Sequence, residues 1–154
     1  MTEASDIVQA FMEALETRDY ERAKEYLADD FRFEGFTTTP LDRGGFLLVM
    51  KGLATGMPNM SFHFQGLNEA AERAPGSVEE GFVQITGKQT ETFELIPLNF
   101  PPIPQSNNWV SLPESRWEFT VNQGKIRIIS VEHKAGGGIT GLLQQLGVRI
   151  PLTR

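Results

Sequence analysis

From Ile7 the apolar residues recur at helical spacing. Ile7, Val8, Phe11, Met12 and Leu15 fall on one face and leave Gln9, Glu13 and Glu16 on the other. The pattern predicts an amphipathic first helix with Ser5 as its N-cap, because a serine hydroxyl can accept a hydrogen bond from a free amide of the first turn. Asp19 is placed to cap a second helix in which Tyr20, Ala23, Tyr26 and Leu27 share a face, with its end near Asp29-Asp30. Phe31-Arg32-Phe33-Glu34 then alternates apolar and charged residues, which predicts a short half-buried strand broken off by Thr37-Thr38-Thr39-Pro40. Asp42 caps a third helix whose inner face is Phe46, Val49, Met50 and Leu53, closed by Gly56 and Pro58.

Beyond Pro58 the period changes to two. Met60, Phe62 and Phe64 alternate with Ser61, His63 and Gln65. Val78 to Thr92 continues in β-rich composition, with Gly81 and Gly87 as candidate bulges and Ala74-Pro75-Gly76 as the preceding turn. Trp109 to Val121 and Lys125 to His133 form a last pair around Asn122-Gln123-Gly124, where glycine is available for positive φ. Helices first and long strands after them predict an α+β fold rather than a parallel α/β sheet. Residues 1–154 read as one domain, with a core over 1–135 and a C-terminal tail over 136–154.

Two segments depart from this plan. Between Phe93 and Asn108, Pro97, Pro101, Pro102 and Pro104 are interleaved with Leu95, Ile96, Leu98, Phe100 and Ile103, and such a stretch cannot join a central ladder. It is either a stiff surface loop or an apolar flap over a pocket mouth. Gly136-Gly137-Gly138, followed by Ile139, Leu142, Leu143, Leu146 and Val148, reads as a hinge and a short apolar tail that could close the same mouth.

At this length one core can bury roughly 68–70% of the unfolded surface. With 40% hydrophobic against 22% charged residues, the chain can offset its ordering entropy. Twenty acidic against fourteen basic side chains give a net charge of -6, and no run of Lys or Arg makes the stripe that phosphate backbones require. Nucleic acid is therefore not an expected partner. The absence of cysteine excludes disulfides and thiolate metal sites. The acidic start Met1-Thr2-Glu3 lacks the features of a signal peptide, and no window reaches the roughly 18 apolar residues of a membrane span. The expectation is a cytoplasmic protein without a membrane partner.

Two histidines do not suffice for a histidine-rich zinc site, and neither His-Glu-x-x-His nor Gly-x-Ser-x-Gly occurs. Gly136-Gly137-Gly138 lacks the lysine and the Ser or Thr of a phosphate loop. Neither a metal nor a cofactor is expected. The apolar faces must instead converge on one interior. Phe11, Leu15, Phe46 and Met50 from the helices, with Phe33, Phe62, Phe64, Trp117, Ile129 and Val131 from the strands, are the candidate lining of a pocket for an apolar small molecule. His63 has the opposite parity to Phe62 and Phe64 and so faces outward. His133 shares parity with Ile129 and Val131, which makes it the first candidate acid or base, with Asp30 and Tyr20 as candidates from the helical side.

Four stretches carry a family likeness: Tyr26-Leu27-Ala28-Asp29-Asp30-Phe31, Met57-Pro58-Asn59-Met60-Ser61-Phe62, Asn122-Gln123-Gly124-Lys125-Ile126 and Gly141-Leu142-Leu143-Gln144-Gln145-Leu146-Gly147-Val148. Together with the element order, they resemble the SnoaL-like branch of the nuclear transport factor 2-like superfamily. The resemblance implies a cone-shaped, cystatin-like fold, in which a curved mixed or antiparallel sheet packs on three N-terminal helices around a deep pocket. It also implies homodimers that pair sheet faces. Members include polyketide cyclases, ketosteroid isomerases and limonene epoxide hydrolases, which set a carboxylate or histidine among apolar walls to move protons without a cofactor. In the cyclases that group drives an intramolecular aldol closure. In this chain Ile129 and Val131 fall where the branch has its polar positions on the last strand. Two functions follow: a cyclase-like or isomerase-like enzyme, or a non-catalytic ligand-binding or dimerising module of the same fold.

Overall fold

The computed structural model describes residues 3–37, 39–67, 78–95, 98 and 102–147. Helix α1 (Glu3–Glu16) begins before Ser5, which lies inside the first turn rather than capping it. Its apolar stripe is buried as the spacing requires, and Phe11, Ala14 and Leu15 are almost wholly covered. After a left-handed turn at Arg18, Asp19 caps α2 (Tyr20–Glu25) by accepting from the Arg22 amide at 3.2 Å. That helix is shorter than its apolar spacing suggests. Leu27 to Asp30 belong to strand β1 (Leu27–Glu34), so Asp30 is a strand residue and not a helix end. Asp42 caps α3 (Arg43–Gly56) by accepting from the Gly45 amide at 2.8 Å, and Phe46, Val49, Met50 and Leu53 turn inward.

The strands that follow are β2 (Gln65–Leu67), β3 (Val78–Val83), β4 (Thr86–Lys88), β5 (Trp109–Ser111), β6 (Ser115–Asn122) and β7 (Lys125–Glu132). Five of them form a sheet in the order β1-β7-β6-β3-β2, while β4 and β5 make a separate pair. β1 runs parallel to β7 and the other neighbours are antiparallel, so the sheet is mixed. Trp117, Phe119 and Val121 are buried, whereas Arg116, Glu118 and Thr120 face the other way and remain partly exposed. Gln123 and Gly124, with φ of 55° and 78°, make the two-residue turn between β6 and β7, the geometry that suits the twist of a hairpin.

Three expectations for this half of the chain are corrected. Met60 to Gln65 is not a continuous strand: His63 has φ 46°, Ser61 touches Thr86 in an isolated bridge, and regular pairing starts at Gln65. Trp109 to Val121 is two strands in two sheets, parted around Pro113. Gly81 and Gly87 are in register, and the irregularities fall instead between Leu27 and Arg32 and between Thr120 and Val121. Gly81 serves a close approach, since a Cβ there would lie 2.5 Å from the Phe64 ring. Ala74-Pro75-Gly76 lies outside the described residues.

The proline-rich segment is anchored at both ends. Phe93 pairs with Ile103, and both are buried together with Leu95. Gly56 of α3 leaves room for the Phe93 ring, which a Cβ would meet at 2.2 Å. Gln89, fully buried, donates to the carbonyls of Glu91 at 3.1 Å and Pro104 at 2.9 Å and accepts from the Ser106 hydroxyl at 2.6 Å. Ile96, Pro97, Phe100 and Pro101 lie outside the described residues. The C-terminal tail is a helix, α4 (Gly138–Gln145), which buries Ile139, Leu142 and Leu143, with Leu146 buried just beyond it. Gln145 pairs with both backbone groups of Ser111, accepting from its N–H at 2.8 Å and donating to its carbonyl at 3.0 Å. Val148 lies outside the described residues.

Candidate functional site

The inner face of the sheet and the inner faces of α1 and α3 meet in an aromatic cluster. Phe46 is its hub: its ring centroid lies 4.7 Å from Phe33, 5.3 Å from Phe31 and 6.1 Å from Phe11. Phe33 reaches Trp117 at 5.5 Å, Trp117 reaches Phe119 at 6.0 Å, and Phe64 meets Phe119 edge-on at 5.9 Å. These spacings suit offset and edge-to-face packing. Of the expected lining, Phe11, Leu15, Phe33, Phe46, Met50, Phe62, Trp117, Ile129 and Val131 are buried, and Phe64 is partly so. The Trp117 indole N–H donates to the Ser115 hydroxyl at 3.1 Å, so the largest ring of the cluster has its polar atom satisfied.

A carboxylate shares this inner face. On β3 the buried positions are Glu79, Gly81 and Val83, and Glu79 pairs across the ladder with Phe119. Only 4% of Glu79 is exposed. A cavity of about 20 Å³ beside it is bounded by Ser5, Val8, Gln9 and Phe64, and this is room for about one water molecule. The sequence reading passed over Glu79, although strand parity with Val83 carried the signal.

The three acid/base candidates read from the sequence lie apart. β7 ends at Glu132, so His133 sits one residue beyond it, exposed, with its ring against the start of α4, where a Cβ on Gly138 would lie 2.8 Å from Nε2. Tyr20 is half-buried between α2 and α3, its hydroxyl 3.4 Å from the Met50 carbonyl. Burial pushes its phenol above the ordinary value, against the opposing charge of Arg18. Asp30 is exposed and receives a hydrogen bond from Arg127 at 2.6 Å, which holds its carboxyl below the ordinary aspartate value. A carboxyl depressed in this way adds stability above its unfolded pKa and loses it as pH falls through the folded one. Asp30→Asn should therefore flatten the loss of thermal stability below about pH 4. Melting curves of equal slope against pH in the two proteins would refute that assignment.

The outer sheet face is polar. Arg116 binds Glu80 at 2.7 Å and Glu118 at 2.9 Å and lies 3.8 Å from Glu132; the hydrogen bond to Glu80 is the chief reason its pKa is raised. Phe82 and Gln84 are half-buried on the side opposite Val83 and Ile85. His63 is exposed in the irregular segment before β2 and contacts the Thr86 hydroxyl at 2.8 Å. Among the described residues no cluster of three metal-donor side chains occurs, and no helix is long and apolar enough to cross a membrane.

The SnoaL-like domain family profile matches residues 8–129. A candidate polyketide cyclase from Xanthomonas campestris superposes with a TM-score of 0.67 at 16% identity, covering 94% of this chain and 96% of that one. IdmH, a candidate polyketide cyclase from Streptomyces antibioticus, gives 0.63 at 20% identity, with 94% and 98% covered. An epoxide hydrolase of M. tuberculosis, similar to LEH, gives 0.55 at 19% identity, with 94% and 92% covered. No curated protein matches the sequence. At these identities the likeness is one of fold.

Proposed function

Because the chain belongs to the SnoaL-like domain family, we propose that it binds an apolar small molecule between sheet and helices and converts it by cofactor-free proton transfer, as a cyclase or isomerase does. The observation that carries this reading is Glu79, a buried carboxylate on an inner face otherwise built from Trp117, Phe119 and Val83. A carboxylate within reach of a bound substrate is one of the usual general bases for such a transfer. Its task would be to take a proton from a carbon beside a carbonyl. The enolate then closes on a second carbonyl of the same molecule, and the proton returns to the new alkoxide, so that no atom is gained or lost.

Native mass spectrometry of the protein with co-purified ligand tests the reading, followed by incubation of that ligand with fresh protein. A polycyclic or steroid-like mass that is consumed supports it. A ligand recovered unchanged would favour the second reading, a binding module, for which Ile129 and Val131 speak: both are buried apolar residues at the last-strand positions that are polar in the SnoaL-like pattern.

We also infer a homodimer that pairs outer sheet faces, a mode supported by the half-buried Phe82 and Gln84 and by the mixed charges around Arg116. Sedimentation at micromolar concentration should show twice the chain mass. A monomer there would rule the pairing out.

A further inference from the structure

A groove of about 340 Å³ runs between α2 and the first half of α3, on the solvent side of both helices. Its walls combine two chemistries. Tyr20, Leu47 and Leu48 are aromatic or aliphatic, and Lys24, Arg43 and Lys51 are cationic, with Glu21 the one acid on the wall. Leu48 is 43% exposed although the inner face of α3 is already supplied by Phe46, Val49, Met50 and Leu53. A single exposed leucine would mean little; here it lies between cations on a floor it shares with Leu47. Lys51 stands 5.8 Å from the Tyr20 ring centroid, close enough for the ring face to attract its ammonium. Arg43 makes an ion pair with the exposed Asp29 at 3.0 Å. At Gly44 the nearest atom to a Cβ would be 3.9 Å away, which leaves the backbone open at the same end.

The geometry points to a binding site for an amphipathic organic anion, a carboxylate or phosphate carried on an aliphatic or aromatic body. The anionic head meets Lys24, Arg43 and Lys51, while the body covers Leu47, Leu48 and the exposed edge of Tyr20. The chain as a whole carries a net charge of -6 and repels anions at long range, so this local cluster must supply the attraction. Affinity should accordingly fall as salt rises. The groove lies at the low end of the volume range of small-molecule sites, which suits a short-chain ligand. The inference stands independently of the interior site proposed above.

Titration of the full-length protein with decanoate below its micelle-forming concentration, followed by amide NMR shifts, tests it. Saturable shifts are expected at Tyr20, Lys24, Gly44, Leu48 and Lys51, with a Kd on the order of 0.1–1 mM. Lys51→Glu and Leu48→Asp should each weaken binding roughly tenfold by removing one half of the recognition. Both side chains are solvent-facing, and an unchanged remainder of the spectrum shows that the variants fold. The proposal fails if no saturable shift appears there, or if decanol binds as well as decanoate, which would mean apolar contact alone. Equal binding of inorganic phosphate would reduce the groove to an ion site and also overturn it. Binding to anionic vesicles without a response to free decanoate would identify a membrane-facing patch instead. Shifts confined to residues around Trp117 would place the probe in the interior, overturning the groove while leaving the interior reading intact.

Discussion

If the proposed proton transfer takes place, replacing Glu79 by Gln should lower turnover by about 10²–10⁴-fold and leave substrate affinity nearly unchanged. The amide keeps the size and much of the hydrogen bonding of the carboxylate but cannot accept the proton. Because Glu79 is buried across the ladder from Phe119, the substitution alters chemistry on the inner face and leaves the outer one untouched. His133→Ala is the informative companion. His133 is exposed at the junction of β7 and α4, and its loss should leave most of the turnover in place. The opposite outcome, turnover lost with His133 and kept with Gln at 79, would move the reaction to the strand end and remove Glu79 from it.

Truncating Phe46 to Ala costs about 3–5 kcal/mol of unfolding free energy, the usual range for a buried phenylalanine. Phe46 joins Phe11 and its own helix to Phe31 and Phe33 of β1, so the void would open where two helices meet the sheet. Against a total of about 5–15 kcal/mol, such a loss brings the protein close to unfolding at room temperature. Phe46→Leu, which keeps most of the volume, should cost under about 1.5 kcal/mol. Urea denaturation read by the fluorescence of buried Trp117 measures both, with Trp109→Phe as background to silence the exposed indole. A loss below about 1 kcal/mol for the alanine would show that the cluster is not close-packed around Phe46.

Much of the fold was legible because its periods are strong. The stripe Ile7, Val8, Phe11, Leu15 and the caps Asp19 and Asp42 locate α1, the start of α2 and all of α3. Alternation through Trp117, Phe119 and Val121, with Gln123-Gly124 at the turn, locates the central hairpin. The beginning of β1 was hidden by its own irregular register. Between Leu27 and Arg32 the strand carries extra residues, and Asp29-Asp30 within that stretch read as a helix end. Parallel pairing of β1 with β7 joins residues far apart in sequence, such as Leu27 with Ile126, and leaves no local signal. Gly136-Gly137-Gly138 suggested a hinge, yet Gly138 opens α4 and is tightly enclosed, since a Cβ there would fall 2.8 Å from His133 Nε2. The burial of the inward apolar residues was predictable because it follows parity. Gly81, with no side chain to mark a face, breaks the visible alternation in sequence that places Glu79, Gly81 and Val83 inward.

The contact between Gln145 and Ser111 bears on how the edge of the smaller sheet is closed. A strand that ends a sheet presents unpaired N–H and C=O groups, a template onto which another molecule can add a strand and begin an aggregate. Ser111 faces that hazard on the side away from β4. A primary amide offers one donor and one acceptor, as a peptide unit does, so Gln145 completes the ladder and presents no new rung beyond itself. Helix α4 thus terminates sheet growth as well as covering apolar side chains. A molecule in which only α4 had come loose would keep most of its aromatic interior while exposing an adhesive edge, making fraying of the last helix the first step toward clumping.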